Sequence, residues 1–229
     1  MFAYLIIILT FAAAKLGEVT CRGVRVAIAD ASRNAFVDEE EVMGMILKGY
    51  GAIIGKKMIT IDKDSLERVL ARHPMIKSVQ VYYRLDGYFH VKIRQREPVL
   101  RVMAGEGYYV DRDGKEMPLS SRFTSRVIVA TGDISKTFAR EQLAPFARRV
   151  GEHAFWNAFI EQVVVLPGDD VVLIPKVGNF KITLGPLAGH EERMEKLMLF
   201  LKRGLSRGGW DAYKEVKLNF EKLVVCVRR

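Results

Sequence analysis

Few stretches of this chain carry residue types at spacings that could do chemistry. Gly204-Leu205-Ser206-Arg207-Gly208 matches the G-x-S-x-G pattern of a serine nucleophile. Such a serine works where a strand runs into the turn, a helix leaves it, and a histidine arrives later in the chain. Here a helical pattern precedes the motif and the last histidine is His190. The glycines therefore read as the terminal turn of a helix. His73, His90, His153 and His190 share no ligand spacing with one another or with Cys21 and Cys226, which argues against zinc. Asp111-Arg112-Asp113-Gly114 opens like a calcium loop, but its glycine stands fourth instead of sixth and the twelfth position is Arg122. Gly49 to Gly55 lacks the GK[ST] ending of a phosphate-binding loop. Asp169-Asp170 and Glu191-Glu192 fall at a turn and a helix start, where carboxylates accept from orphan N–H groups. The reading is a non-enzymatic protein with no catalytic residue, cofactor, metal or small-molecule substrate.

An apolar fraction of 49% with 10% aromatic residues is enough for one large or two small cores. The net charge of +9 is dispersed, with no run of five basic residues, which fits a solvated surface better than a nucleic-acid groove. Two cysteines near opposite ends make no disulfide framework, and the Glu18 that precedes Val19, Thr20 and Cys21 argues against a lipoprotein signal.

Phe2 to Ala14 is an uncharged apolar run. Extended weakly to Val19, it would cover roughly 27 Å as a helix, close to a bilayer core, so residues 1–19 read as a single membrane anchor. Two other readings stay open. A signal cleaved after Ala12-Ala13-Ala14 expects a preceding Lys or Arg, and a buried helix would suit so short a run. The charges lie after the run, which leaves orientation open; a start placed too far downstream would account for both oddities.

The elements follow. Gly23 to Ile28 alternates as a strand, Asp38 and Asp62 are expected N-caps of two helices, and His73-Pro74 ends the second. Ile76 to Tyr83 and Phe89 to Arg94 alternate about Asp86-Gly87, which predicts a two-residue type I′ hairpin with Val79, Val81 and Tyr83 on one face. The fold class is α+β: a β-α-α-β-β unit over residues 20–97, then a mixed, β-rich domain over 98–229. The second domain is expected to hold strands near Val99–Met103, Tyr108–Val110, Lys115–Met117 and Arg126–Ala130, and a helix over Lys136–Ala154 in which Pro145 implies a break or an early turn. Strands at Ile160–Leu166, Val171–Ile174 and Phe180–Leu184 and a helix over His190–Arg203, with Met194, Leu197, Leu201 and Leu205 in one stripe, come next. Glu215–Phe220 and Leu223–Val227 close the chain as a hairpin.

This order, with the exit Gln95-Arg96-Glu97-Pro98-Val99, resembles the bacterial division family FtsQ, called DivIB in some lineages. Tyr108 to Leu119, Phe155 to Val165, Leu173 to Gly185 and Gly209 to Val227 are similar to the version found in Bacteroides-type bacteria. The resemblance implies an inner-membrane, single-pass protein with a POTRA domain and a β domain on the periplasmic side, at the division septum. It implies a scaffold that links early and late division proteins, binds FtsB- and FtsL-like partners and helps control septal wall synthesis. The chain lacks the usual cytoplasmic tail, and Lys217-Leu218-Asn219-Phe220 replaces an acidic-Leu-Arg-aromatic run, so a contact through that arginine is not expected. The competing function is a chaperone-type POTRA component of outer-membrane protein assembly or secretion, a class that normally carries several such units or a barrel.

Binding is expected at sheet edges. Val216, Leu218 and Phe220, and Leu223, Val225 and Val227, are expected to face inward, leaving Val224 and Cys226 outward. An FtsB-like partner would add a strand along Phe220, Leu223, Val224, Val225, Cys226 and Val227. An upstream division protein would use a POTRA edge, at Val79, Val81 and Tyr83 or at Tyr88 to Gln95.

Overall fold

The computed structural model describes residues 19–84, 86–203, 209–220 and 223–229. Leu85, Leu205, Ser206 and the rest of the G-x-S-x-G motif, Glu221-Lys222, and the apolar run Phe2–Ala14 lie outside them. Among the described residues no helix is long and apolar enough to cross a membrane. The chain divides into two compact units: described residues up to Arg96 with Ser120–Phe123, and Glu97–Leu119 with Thr124–Arg229.

In the first unit the alternating Gly23–Ile28 is strand β1, followed by helices α1 (Glu39–Gly49) and α2 (Lys63–Ala71) and strands β2 (Ile76–Tyr83) and β3 (Tyr88–Gln95). Both expected caps form. The Asp38 carboxylate accepts from Glu41 N at 2.8 Å, and Asp62 accepts from Asp64 N at 3.0 Å and Ser65 N at 3.2 Å. Each such cap stabilises its helix by about 1 kcal/mol. The sheet order is β1-β3-β2, with β1 parallel and β2 antiparallel to β3. Phe89, Val91 and Ile93 of the central strand are buried together with Val42 and Ile46 of α1 and Leu66 and Leu70 of α2, so the helices cover one face of the sheet. Gln95 closes the far end: its amide donates to Asn34 O at 2.5 Å and its carbonyl accepts from Val37 N at 2.9 Å, which satisfies a buried polar group.

The hairpin differs from the expected type I′ turn. Gly87 N donates to Arg84 O, Arg84 N donates to Tyr88 O, and Gly87 takes φ +83°. The connection is the three-residue kind closed by a glycine in the left-handed region. Asp86 contributes by accepting from Tyr88 N at 3.0 Å. Val79, Val81 and Tyr83 stand opposite the buried Ile93, Val91 and Phe89, so they share one face as expected, with Val81 buried, Val79 half-buried and Tyr83 exposed at the strand end.

The second unit holds strands β4 (Pro98–Val102), β5 (Tyr108–Asp111), β6 (Glu116–Pro118), β7 (Ile128–Gly132), β8 (Ile160–Val165), β9 (Val171–Pro175), β10 (Lys181–Gly185), β11 (Tyr213–Lys217) and β12 (Val225–Arg228). They form a single mixed sheet in the order β12-β11-β10-β9-β8-β7-β4-β5-β6. Helices α3 (Lys136–Phe138), α4 (Ala144–Glu152), α5 (Ala154–Phe159) and α6 (His190–Arg203) supply Phe138, Phe146, Val150, Trp156 and Leu197 to a core shared with Leu100, Val163, Leu173, Ile182 and Val216 of the sheet. The architecture is two layers, helices on one face.

Of the two readings of Pro145 the early turn holds: it stands in the first turn of α4. A π turn over Ala139–Leu143 links α3 to α4, with Ala144 N donating to Ala139 O. The wider turn lies just ahead of the proline, which has no N–H to donate and whose ring crowds the carbonyl four residues back. Helix α5 was not expected. His153 caps it by accepting from Trp156 N at 3.4 Å, and Phe155 stacks on Phe159 one turn later at 5.5 Å.

Candidate partner-docking edges

Strand β12 pairs with β11 alone and ends the nine-stranded sheet. The register sets Glu215 opposite Val227, Val216 opposite Cys226, and Lys217 opposite Val225. Residues directly opposite in an antiparallel pair share a face. Val216 is fully buried against the helices, so Cys226 must point the same way. Cys226 and Val224 pack against the core, and burial raises the Cys226 thiol above its ordinary pKa. The expected inward set is therefore inverted: Leu223 is 64% exposed and Val227 38%, on the side away from the helices, with Val225 half-buried. The alternation alone could not choose between faces, because Leu223 to Val227 is apolar at every position. Phe220 departs too. It follows the end of β11 and is 45% exposed, while Val216 and Leu218 are buried as expected.

The backbone of β12 alternates as its side chains do. Arg229 N donates across to Ala212 O, so the groups of Val227 and Val225 also face β11 while those of Cys226 and Arg228 face away from it. Two N–H and two C=O groups thus point off the sheet. The opposite edge is built differently: β6 has three residues and ends in Pro118, which shortens and blunts it.

In the three-stranded sheet β3 is central, which removes Tyr88 to Gln95 as an edge, and β2 with Val79, Val81 and Tyr83 is one of two edges. The other is β1, which sequence reasoning missed because a parallel partner across two helices leaves no local signal. Edge β2 is guarded at its middle. Glu67 of α2 reaches over and accepts from Val81 N at 2.7 Å, so an added strand there must displace a carboxylate.

The other candidate groups have structural partners. His73 lies 3.5 Å from Glu41, His90 stacks on Tyr82 at 5.2 Å between ring centres, and His190 Nδ1 lies 2.8 Å from Leu187 O. No group of three His, Cys, Asp or Glu among the described residues could hold a metal ion. The Asp111 carboxylate accepts from Asp113 N at 2.9 Å and Lys115 N at 2.7 Å, so it organises the β5–β6 turn. A cleft of about 350 Å³ opens on the helical face, lined by Phe146, Val150, Trp156, Met194 and Met198, with the Arg149–Glu191 ion pair beside it.

Residues 97–227, the whole nine-stranded unit through Val227, match the family described as FtsQ/DivIB, C-terminal related. The chain belongs to the FtsQ/DivIB family. Residues 19–94 match a POTRA-like domain, in line with the β-α-α-β-β order that carried the resemblance. A cell division protein FtsQ from Myxococcus fulvus is 33% identical over 61 residues, a match that spans 27% of this chain and 22% of that relative. The alignment thus covers less than a quarter of the relative's own length.

Proposed function

We propose that this FtsQ/DivIB-family chain is a non-enzymatic scaffold of the division machinery that recruits a partner polypeptide by strand addition to β12. The observation that carries this reading is the sheet order, in which β12 has one neighbour and turns the backbone groups of Cys226 and Arg228 outward. Backbone pairing supplies affinity without demanding a particular sequence, and exposed Leu223 and Val227 beside the edge supply apolar contact. The partner that fits is an FtsB-like division protein, accompanied by FtsL in a coiled coil. Through them the chain would connect early and late division proteins and help control septal wall synthesis. In this reading residues 1–19 anchor the protein in the inner membrane at the septum, residues 20–97 form the POTRA domain that meets upstream division proteins, and residues 98–229 form the β domain. Family membership, the apolar run Phe2–Ala14 and the open edge support the assignment.

Strand addition leaves an alternating signature. On addition of an FtsB-like partner, the amides of Cys226 and Arg228 should become protected from hydrogen exchange, while that of Val227, already bonded to β11, changes little. Uniform protection, or none, along β12 would show that the partner docks on side chains or elsewhere.

A further inference from the structure

The chain is pinned at the point where it joins its first strand. Met58 N donates to Val19 O at 2.9 Å, Cys21 N to Lys56 O at 2.8 Å, Gly55 N to Cys21 O at 2.7 Å and Arg22 N to Gly87 O at 2.8 Å. The loop of residues 50–60 therefore flanks Val19 directly, and the hairpin tip holds Arg22, three residues further along. Two isoleucines of this collar face water, Ile54 at 62% exposure and Ile59 at 71%. The same loop carries the exposed cations Lys56 and Lys57, and Arg22, Lys63 and Arg84 on the neighbouring segments are exposed as well. The Lys56 ammonium lies 6.0 Å from the centre of the Tyr50 ring, and that of Lys63 lies 5.6 Å from the centre of Tyr83. The nearby acids are outnumbered and mostly engaged. Asp62 caps α2 and faces Arg68, and Asp86 holds Tyr88 N and faces Arg25, leaving Asp64 and, next to Val19 in sequence, Glu18.

Exposed aliphatic side chains ringed by Lys, Arg and Tyr are the composition of a protein surface at a membrane interface. The chain's own connectivity selects that occupant over a protein. From Ala14 to Val19 the backbone can span only about 8 Å if helical and about 17 Å if extended. If Phe2–Ala14 is in the bilayer, the collar cannot stand clear of the headgroups. We propose that this collar seats on anionic phospholipid headgroups, with Ile54 and Ile59 entering the interface and the lysines pairing with phosphates. The proposal rests on the anchor reading above and adds a lipid-specific surface to it.

The test uses the full chain in nanodiscs of phosphatidylcholine with and without phosphatidylglycerol, read by hydrogen exchange of residues 50–60. Exchange there should slow roughly tenfold more in the anionic discs. The doubly substituted Lys56→Glu, Lys57→Glu chain should lose that difference, and Ile59→Ser should reduce it, with melting temperatures near wild type. A chain retained in the discs whose loop exchanges equally in both lipids overturns the seat and leaves the anchor standing. A chain that does not enter the discs overturns both.

Discussion

Replacing Arg228 by proline tests strand addition where it is most exposed. The N–H of Arg228 points off the sheet, so proline removes a donor that β11 does not use. Four outward backbone groups, from Cys226 and Arg228, at ~0.5–1.5 kcal/mol each give a backbone contribution of about 2–6 kcal/mol to docking. Proline deletes one donor and its ring keeps the partner's carbonyl from approaching, so about half of that is lost. A loss of ~1–3 kcal/mol weakens Kd by about 5- to 150-fold. Titration calorimetry with an FtsB-like partner measures this, and thermal melting reports the fold, which should stay within a few degrees of wild type. Arg228→Ala separates the charge from the N–H and should bind nearly as the parent does. Cys226→Lys would serve poorly here, because that side chain packs on the core and the change would lower the melting temperature as well. Arg228→Pro binding like wild type, or Arg228→Ala binding as weakly as Arg228→Pro, would refute the backbone argument.

Two further expectations concern other parts of the sheets. Glu67→Ala frees Val81 N on β2 and should cost about 1 kcal/mol of stability while promoting self-association, seen by denaturant titration and sedimentation. A monomer of unchanged stability would mean that Glu67 guards nothing. The Thr183 hydroxyl at 2.7 Å, with Lys181 and Lys217 assisting, holds the Glu215 carboxyl below the ordinary glutamate range. A lowered folded-state pKa contributes stability above the unfolded value of about 4.3 that is lost as pH falls through the folded value. Glu215→Gln should therefore flatten the acid limb of melting temperature against pH, and an unaltered limb would show that the Thr183 contact contributes little.

What could be read locally was read correctly where one physical preference acted alone. Asp38 and Asp62 cap helices because their short carboxylates reach the orphan amides. The stripe Met194, Leu197 and Leu201 is buried because its spacing places all three on one side of α6. Two preferences in conflict misled or left a choice open. Asp86-Gly87 suits two turn geometries, and the Arg84–Tyr88 hydrogen bond selects the longer one. Pro145 suits a break or a first helical turn, and the π turn ahead of it selects the first turn.

By itself the amino-acid order determined most of the elements, the β-α-α-β-β plan, and the resemblance borne by Tyr108–Leu119 and Gly209–Val227. Tertiary structure decided which strands are edges, that Glu67 shields β2, and that Val224 and Cys226 face inward. The physical reason is that side-chain period is a local property of one strand. Face and edge are properties of the neighbours, and in a run apolar at every position only the fully buried Val216 across the ladder could settle them.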